Sequence, residues 1–330
     1  MLTCGLPLRL KSTVVSDGGG YGKYACVGVE ESGGAHMNNW LELSGAVCVV
    51  TGALGGLGAQ ICREFARNGA QVAAVDLHRE RVDDFAFGLE EAQGVNAQGY
   101  ASDVTNEASV DELVANVVSD FGRVDVLVNT AAVLTHAPLE DLSLEDWEHS
   151  LRVNLTGYFL TSQRFGRVML AHHGGRMVHV SSQAAAIPDT YSGAYSSSKA
   201  GVNALSKMIA TEWGPYGIRS NTVSPTYVKA GVSAEAFEDP TVEQERERLL
   251  ATRDIGELAD VTNAVMYLAS PRSGLTTGHE LAVDAGFSSM MNDLTPLPGG
   301  RRRFAKDSLR ERGFAPVSYT HLRAHETEAD

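Results

Sequence analysis

The chain has 330 residues, 43% of them apolar, and a formal net charge of −14, enough material for one large core or two small ones. The acidic balance argues against nucleic acid as a partner, and no apolar run is long enough to span a bilayer, so no membrane is expected either. Four cysteines (Cys4, Cys26, Cys48, Cys62) lack metal or disulfide spacing, and Cys48 and Cys62, in apolar segments, read as buried thiols of a reducing compartment, the cytoplasm.

Residues 1–36 carry two glycine clusters and no periodicity, so they are expected to be an unstructured extension, with Met37 a candidate true start. From Ala46 the pattern alternates. AVCVV is a short continuous apolar run, as in a strand buried on both faces. TGALGGLG follows, then the amphipathic AQICREFARNG, the strand QVAAVD, the charged helix RERVDDFAFGLEEAQG and the strand VNAQGYAS. ASVDELVANVVSDFG is predicted helical, VDVLVNT a fourth strand, and residues 143–173 one long helix. RMVHVSS predicts the fifth strand, YSSSKAGVNALSKMIATEW a helix stopped at Gly214-Pro215, and IRSNTVS the sixth strand. ELADVTNAVMYLAS and HELAVDAG close the series. Such alternation predicts an α/β fold, one doubly wound parallel sheet with helices on both faces, over residues 37–292.

Residues 230–253 break the rhythm. They are acidic, contain Pro240, and follow the sixth strand at the edge where ligands bind, so they predict a lid; a solvated surface helix is the alternative. After Met291 the pattern is lost again. Residues 293–330 read as a tail, and 318–330 (SYTHLRAHET and its flanks) resemble a translated sequencing adapter, excluded from fold reasoning.

The glycine run Gly52, Gly56 and Gly58, with Leu57 between the last two, follows a buried strand and opens a helix. Small residues there let a pyrophosphate reach the free N–H groups of the helix start; a tight structural turn is the alternative. Asp76 ends the second strand, where a carboxylate can accept both ribose hydroxyls and repel a 2′-phosphate. With no basic residue between Gly52 and Gly58, and only Arg79 nearby, NAD is expected rather than NADP. Asp103-Val104 end the third strand and can meet an adenine edge, unless Asp103 serves only a helix start.

Ser182, Tyr195 and Lys199 supply the reactive groups. Tyr195 and Lys199, four apart, share one helix face, so an ammonium can lie beside a phenol. That cation would pull the phenol below its usual ~10, at roughly 1.4 kcal/mol per unit. Ser182 follows a buried strand at its carboxyl end, where ligands of such sheets bind. A Tyr-x-x-x-Lys pair also arises by chance, and Tyr191 is a decoy without a lysine one turn on.

Taken together, TGALGGLG, Asp76, Asp103, Asn129, Asn154, Ser182, Tyr195 and Lys199 resemble, in order, the motifs of the short-chain dehydrogenase/reductase family over about residues 43–286. The resemblance implies a Rossmann fold and NAD(P)-dependent interconversion of a secondary alcohol and a ketone. It implies Tyr195 as general acid/base, Lys199 as tuner of the phenol and binder of the nicotinamide ribose, Ser182 as holder of the substrate oxygen, and Asn154 as anchor of a proton-relaying water. Asn129, Ala131, Pro225 and Val228 join the implied cofactor contacts, and a homotetramer or homodimer is implied. Three departures stand out: Asn129-Thr130-Ala131-Ala132 for the usual Asn-Asn-Ala-Gly, Thr226 for a glycine after Pro225, and Ala230 for a threonine. The substrate expected is a small alcohol or ketone of polyol, sugar or hydroxy-acid type, against Gln183, Ile187, Tyr191, Leu134 and Tyr227. Alternatives are an NADPH-dependent 3-oxoacyl carrier-protein reductase and a catalytically silent dinucleotide sensor.

Overall fold

The structure is a computed structural model that describes residues 40–229 and 240–292; the two flanks, and residues 230–239 of the expected lid with Ala230, lie outside the described residues. Seven strands form one parallel sheet in the order β3-β2-β1-β4-β5-β6-β7. They are β1 (Val47–Thr51), β2 (Gln71–Asp76), β3 (Ala97–Ala101), β4 (Val126–Asn129), β5 (Gly175–Val180), β6 (Ile218–Pro225) and β7 (Glu280–Val283). Between them run α1 (Gly56–Arg67), α2 (Arg79–Gln93), α3 (Glu107–Phe121), α4 (Leu144–Leu151), α5 (Gly157–Ala171), α6 (Gly193–Trp213), α7 (Pro240–Arg248) and α8 (Leu258–Ala269).

Side chains alternate across a strand, and a sheet covered on both faces therefore has two cores. Cys48 and Val50 of β1, Val72 and Ala74 of β2, and Val126 and Val128 of β4 face one core, with Ile61 and Phe65 of α1, Val82 of α2 and Val265 of α8. The intervening Val49, Ala73, Val75 and Leu127 face the other, with Val117 of α3, Phe165 of α5 and Ile209 of α6. Three helices thus cover each face. Cys48 and Cys62 are free and fully buried, and burial pushes both thiols up. Among the described residues no helix is long and apolar enough to cross a membrane.

The expected single helix over residues 143–173 is interrupted. Arg152–Thr156 form a π turn between α4 and α5, with Gly157 N–H donating to the carbonyl of Arg152, five residues back. The buried positions Ser150, Asn154 and Tyr158 keep a stride of four through it, longer than an α-helix supplies. Hydrogen bonding explains the interruption: Asn154 lies at its centre with a buried side chain bound outside the helix, to the main chain of Val133.

Candidate active site

The chain reverses sheet direction between β1 and β4, and the carboxyl ends of the strands around that point open into a cavity of ≈ 660 Å³, within the range of small-molecule sites. One wall is the β1–α1 turn. Gly52 there has φ +72°, and a Cβ on it would lie 2.8 Å from the Ala131 main chain; a Cβ on Gly58 would lie 2.1 Å from the Gly52 carbonyl oxygen. The turn, the start of α1 and the segment after β4 are therefore pressed together as backbone. Thr130, where the resemblance expects asparagine, donates from its hydroxyl to the Thr51 carbonyl at 2.6 Å and ties the same two segments. The residue before α1 is Gly55, which offers no side-chain cap, so the first N–H groups of the helix are not taken by a side chain.

Asp76 accepts from Leu54 N–H at 2.9 Å through one carboxylate oxygen and from Leu77 N–H at 2.8 Å through the other. Each oxygen keeps capacity for a further donor from the cavity that Asp76 lines. Arg79 points elsewhere, to Asp83 and the Gly99 carbonyl. Asp103 lines the cavity with Val104, and its carboxylate accepts from the Thr105 N–H and hydroxyl; the cap of α3 is Asn106 instead.

The opposite wall carries Ser182, Tyr195 and Lys199. Lys199 is fully buried, its Nζ donating to the Val180 carbonyl at 2.8 Å and to Tyr158 Oη at 3.3 Å, with the Tyr195 ring centroid 5.6 Å away. Burial lowers its titration to about 7. The Tyr195 phenol is pushed up to about 12, first by burial; a hydrogen bond with Ser182 pulls the other way, and the Asp189 carboxylate adds to the rise. This corrects the expected depression of the phenol. Burial disfavours the phenolate and the ammonium alike, so the attraction between them is offset by the desolvation of both.

Most expected residues line this cavity: Gly52, Gly56, Leu57, Gly58, Asp76, Asp103, Val104, Ala131, Leu134, Ser182, Gln183, Tyr195, Lys199, Pro225, Tyr227 and Val228. Four do not. Asn129 is fully buried beneath the floor, bonded to Thr51, Thr161, Ser162 and His179, so it knits strands and helix rather than facing a cofactor. Asn154 donates both amide protons, to the Val133 carbonyl and the Ser198 hydroxyl, and accepts from Val133 N–H, so its buried side chain is tied into the fold. Ile187 lies outside the lining. Tyr191, at φ +66° and 58% exposed, turns its ring to solvent while its carbonyl accepts from Ala137. Of the expected lid, α7 reaches the cavity through Arg246, whose guanidinium lies 4.7 Å from the Tyr227 ring centroid.

Sequence reasoning missed Asp189, His136, His149 and Arg246 on the lining, and Tyr158 behind Lys199. Tyr158 was one stride of four beyond Asn154, a signal that could have found it. Asp189 lies in a loop without periodicity and gave none.

A family model described as enoyl-(acyl carrier protein) reductase matches residues 52–288. The chain is 39% identical over 247 residues to D-threitol dehydrogenase of Mycolicibacterium smegmatis, covering 75% of this chain and 94% of the relative. It is 34% identical to 2,3-dihydro-2,3-dihydroxybenzoate dehydrogenase of Bacillus subtilis, covering 74% and 96%. Among solved structures, gluconate 5-dehydrogenase of Burkholderia cenocepacia, in complex with NADP and tartrate, superposes with a TM-score of 0.72 at 27% identity, covering 74% of this chain and 96% of that one. With its seven-stranded parallel sheet and these relatives, the chain belongs to the short-chain dehydrogenase/reductase family, oxidoreductases that interconvert alcohols and ketones.

Proposed function

We propose that the protein is an NAD-dependent dehydrogenase of a small secondary alcohol of polyol or sugar type. The observation that carries this reading is the convergence of Ser182, Tyr195 and Lys199 on one wall of a cavity whose far wall is the glycine turn with Asp76. The cavity fits a dinucleotide. The uncapped start of α1 suits a pyrophosphate, and the two partly used oxygens of Asp76 suit ribose hydroxyls. NAD bound there supplies the acceptor for a hydride. Ser182 holds the substrate oxygen through its hydroxyl, and Tyr195, protonated at rest, passes its own phenolic proton toward Lys199 as it takes the carbinol proton and the C–H bond breaks. Lys199, held by Val180 and Tyr158, sits where it can hand protons on and bind ribose hydroxyls. A water on the main chain of Asn154 would continue that path.

Asp76 favours NAD because its charge opposes a 2′-phosphate, and Arg79 is turned toward Asp83 and Gly99. A relative named for D-threitol supports a polyol, and one named for 2,3-dihydro-2,3-dihydroxybenzoate shares the pair of adjacent hydroxyls on a substrate that also carries a carboxylate. A reductase of carrier-bound 3-oxoacyl groups is the second reading, favoured by a 32% identical relative from Thermotoga maritima named as a 3-oxoacyl-[acyl-carrier-protein] reductase. The test is a panel of secondary alcohols, polyols and 3-oxoacyl thioesters with both dinucleotides, followed by absorbance of the reduced nicotinamide. Turnover of a polyol with NAD is expected; reduction of the thioester alone, with NADPH, would replace this reading with the second.

A further inference from the structure

The loop between β5 and α6 puts a second polar device beside the phenol. Gln183 Nε2 donates to both carboxylate oxygens of Asp189, at 3.0 and 3.1 Å, and both residues line the cavity. A carboxylate only accepts, so the amide must present its NH₂ to Asp189, and its oxygen is fixed in the other direction. That oxygen is buried and finds no partner, on a residue only 6% exposed. A buried amide that leaves its own acceptor unmet in order to hold a carboxylate is a costly arrangement, and it fixes the orientation of Asp189. Among the described residues Asp189 enters no ion pair. Its charge raises the titration of both Tyr195 and Tyr227, so it acts on the same small volume as the reacting phenol.

We propose that Asp189, oriented by Gln183, accepts a hydrogen bond from a second hydroxyl of the substrate, on a carbon next to the reacting carbinol. The substrate is then an uncharged vicinal diol or longer polyol, and neither a lone secondary alcohol nor a hydroxy acid. This rests on the alcohol dehydrogenase reading above and sharpens its substrate class. One carboxylate with spare acceptor capacity rewards a hydroxyl donor and repels a carboxylate set against it, while the Arg246 guanidinium on the same lining lies against the Tyr227 ring. A monool leaves that capacity unmet, which is how a polar site rejects an analogue lacking the group it was built to bind. Gln183 is a positioning residue, since it acts through Asp189.

Three small probes with the same reacting carbinol separate the cases: glycerol, isopropanol and glycerate, each with saturating NAD. In the wild type, kcat/KM for glycerol should exceed that for isopropanol by about tenfold or more, and glycerate should be the poorer of the two polar probes. Asp189→Asn should lower the glycerol-to-isopropanol ratio by about tenfold and raise glycerate relative to glycerol. Gln183→Leu should lower the same ratio, mainly through KM for glycerol. Because the ratio cancels any common effect on Tyr195, a structural role would not move it. If either variant fails to fold, the wild-type ratios still decide. Equal loss on glycerol and isopropanol, or a wild type that prefers isopropanol or glycerate, overturns the proposal and leaves the dehydrogenase reading in place. Turnover of no alcohol in this series or in the wider panel overturns both.

Discussion

The two walls of the cavity are built by different means. The glycine-turn wall is backbone against backbone: a Cβ at Gly58 would fall 2.1 Å from the Gly52 oxygen, and Thr130 and Asp76 bond to main-chain groups of the turn. The opposite wall is side chain against side chain, through Ser182, Gln183, Asp189, Tyr195, Lys199 and Tyr227. A wall made of backbone constrains residue type at a few positions very tightly, so its substitutions should act on the fold. A wall made of side chains can be altered group by group, so its substitutions should act on rate and specificity.

The largest break of that contrast would come at Tyr195. Tyr195→Phe should leave the thermal midpoint nearly unchanged and lower turnover by ~10² to 10⁴, the usual contribution of a general acid/base. Tyr191→Phe should leave turnover close to the wild type, because its ring faces solvent. Equal activity of Tyr195→Phe and wild type would remove the proton-transfer assignment. On the other wall, Gly58→Ala should destabilise the protein by about 1–3 kcal/mol, read as a shift of the urea midpoint, since the methyl meets a carbonyl that cannot retreat.

Asp76→Asn tests the border between the walls. It keeps an acceptor for the Leu54 N–H but loses the charge, so the preference for NAD over NADP should narrow by about tenfold. A wild type that already uses both dinucleotides equally would show that the charge does not select. A smaller effect is expected at Tyr158→Phe, which takes one of two oxygen partners from the Lys199 ammonium. Its Michaelis constant for NAD should rise about threefold to tenfold while Tyr195 chemistry persists. No change would mean that the Val180 carbonyl alone holds the lysine.

The last signal is a slope with pH and not a single step. Lys199 titrates at about 7 in the fold, below the ordinary lysine value of 10.5, so between these pH values the unfolded chain binds a proton that the folded one does not. Stability linked to this group therefore rises with pH across that window, and is lowest below about 7. Lys199→Met removes the dependence. The difference in Tm between that variant and the wild type should shift steadily in favour of the wild type from pH 7 to pH 10. A constant difference would show that Lys199 keeps its charge in the folded protein.

The same contrast explains what could be read from the sequence. Strands such as VCVVT and QVAAVD were legible because burial on both faces leaves an uninterrupted apolar run. Gly52, Gly58 and Asp76 were legible because backbone packing and a strand end leave few residue types that fit. Asn129 was placed correctly at the end of β4 and given the wrong task, since spacing shows where a residue lies and not which way its side chain turns. Tyr191 was misplaced for a related reason: its left-handed backbone turns the ring away from the cavity, and nothing in the residue order announces a positive φ at a tyrosine. Asp189 was invisible because its partner Gln183 is six residues away in an irregular loop. The titration of Tyr195 was misjudged because pair spacing conveys attraction between charges and not the desolvation of both.

The π turn at Arg152–Thr156 has a genetic reading. It is equivalent to one residue inserted into an otherwise regular helix, which rotates everything downstream by about 100° relative to everything upstream. Deleting a single codon within it would give a smoother, better-bonded helix in which Tyr158, Thr161 and Phe165 no longer point where they do now. Lineages carrying this site are therefore expected to tolerate substitution there far more readily than any change of length.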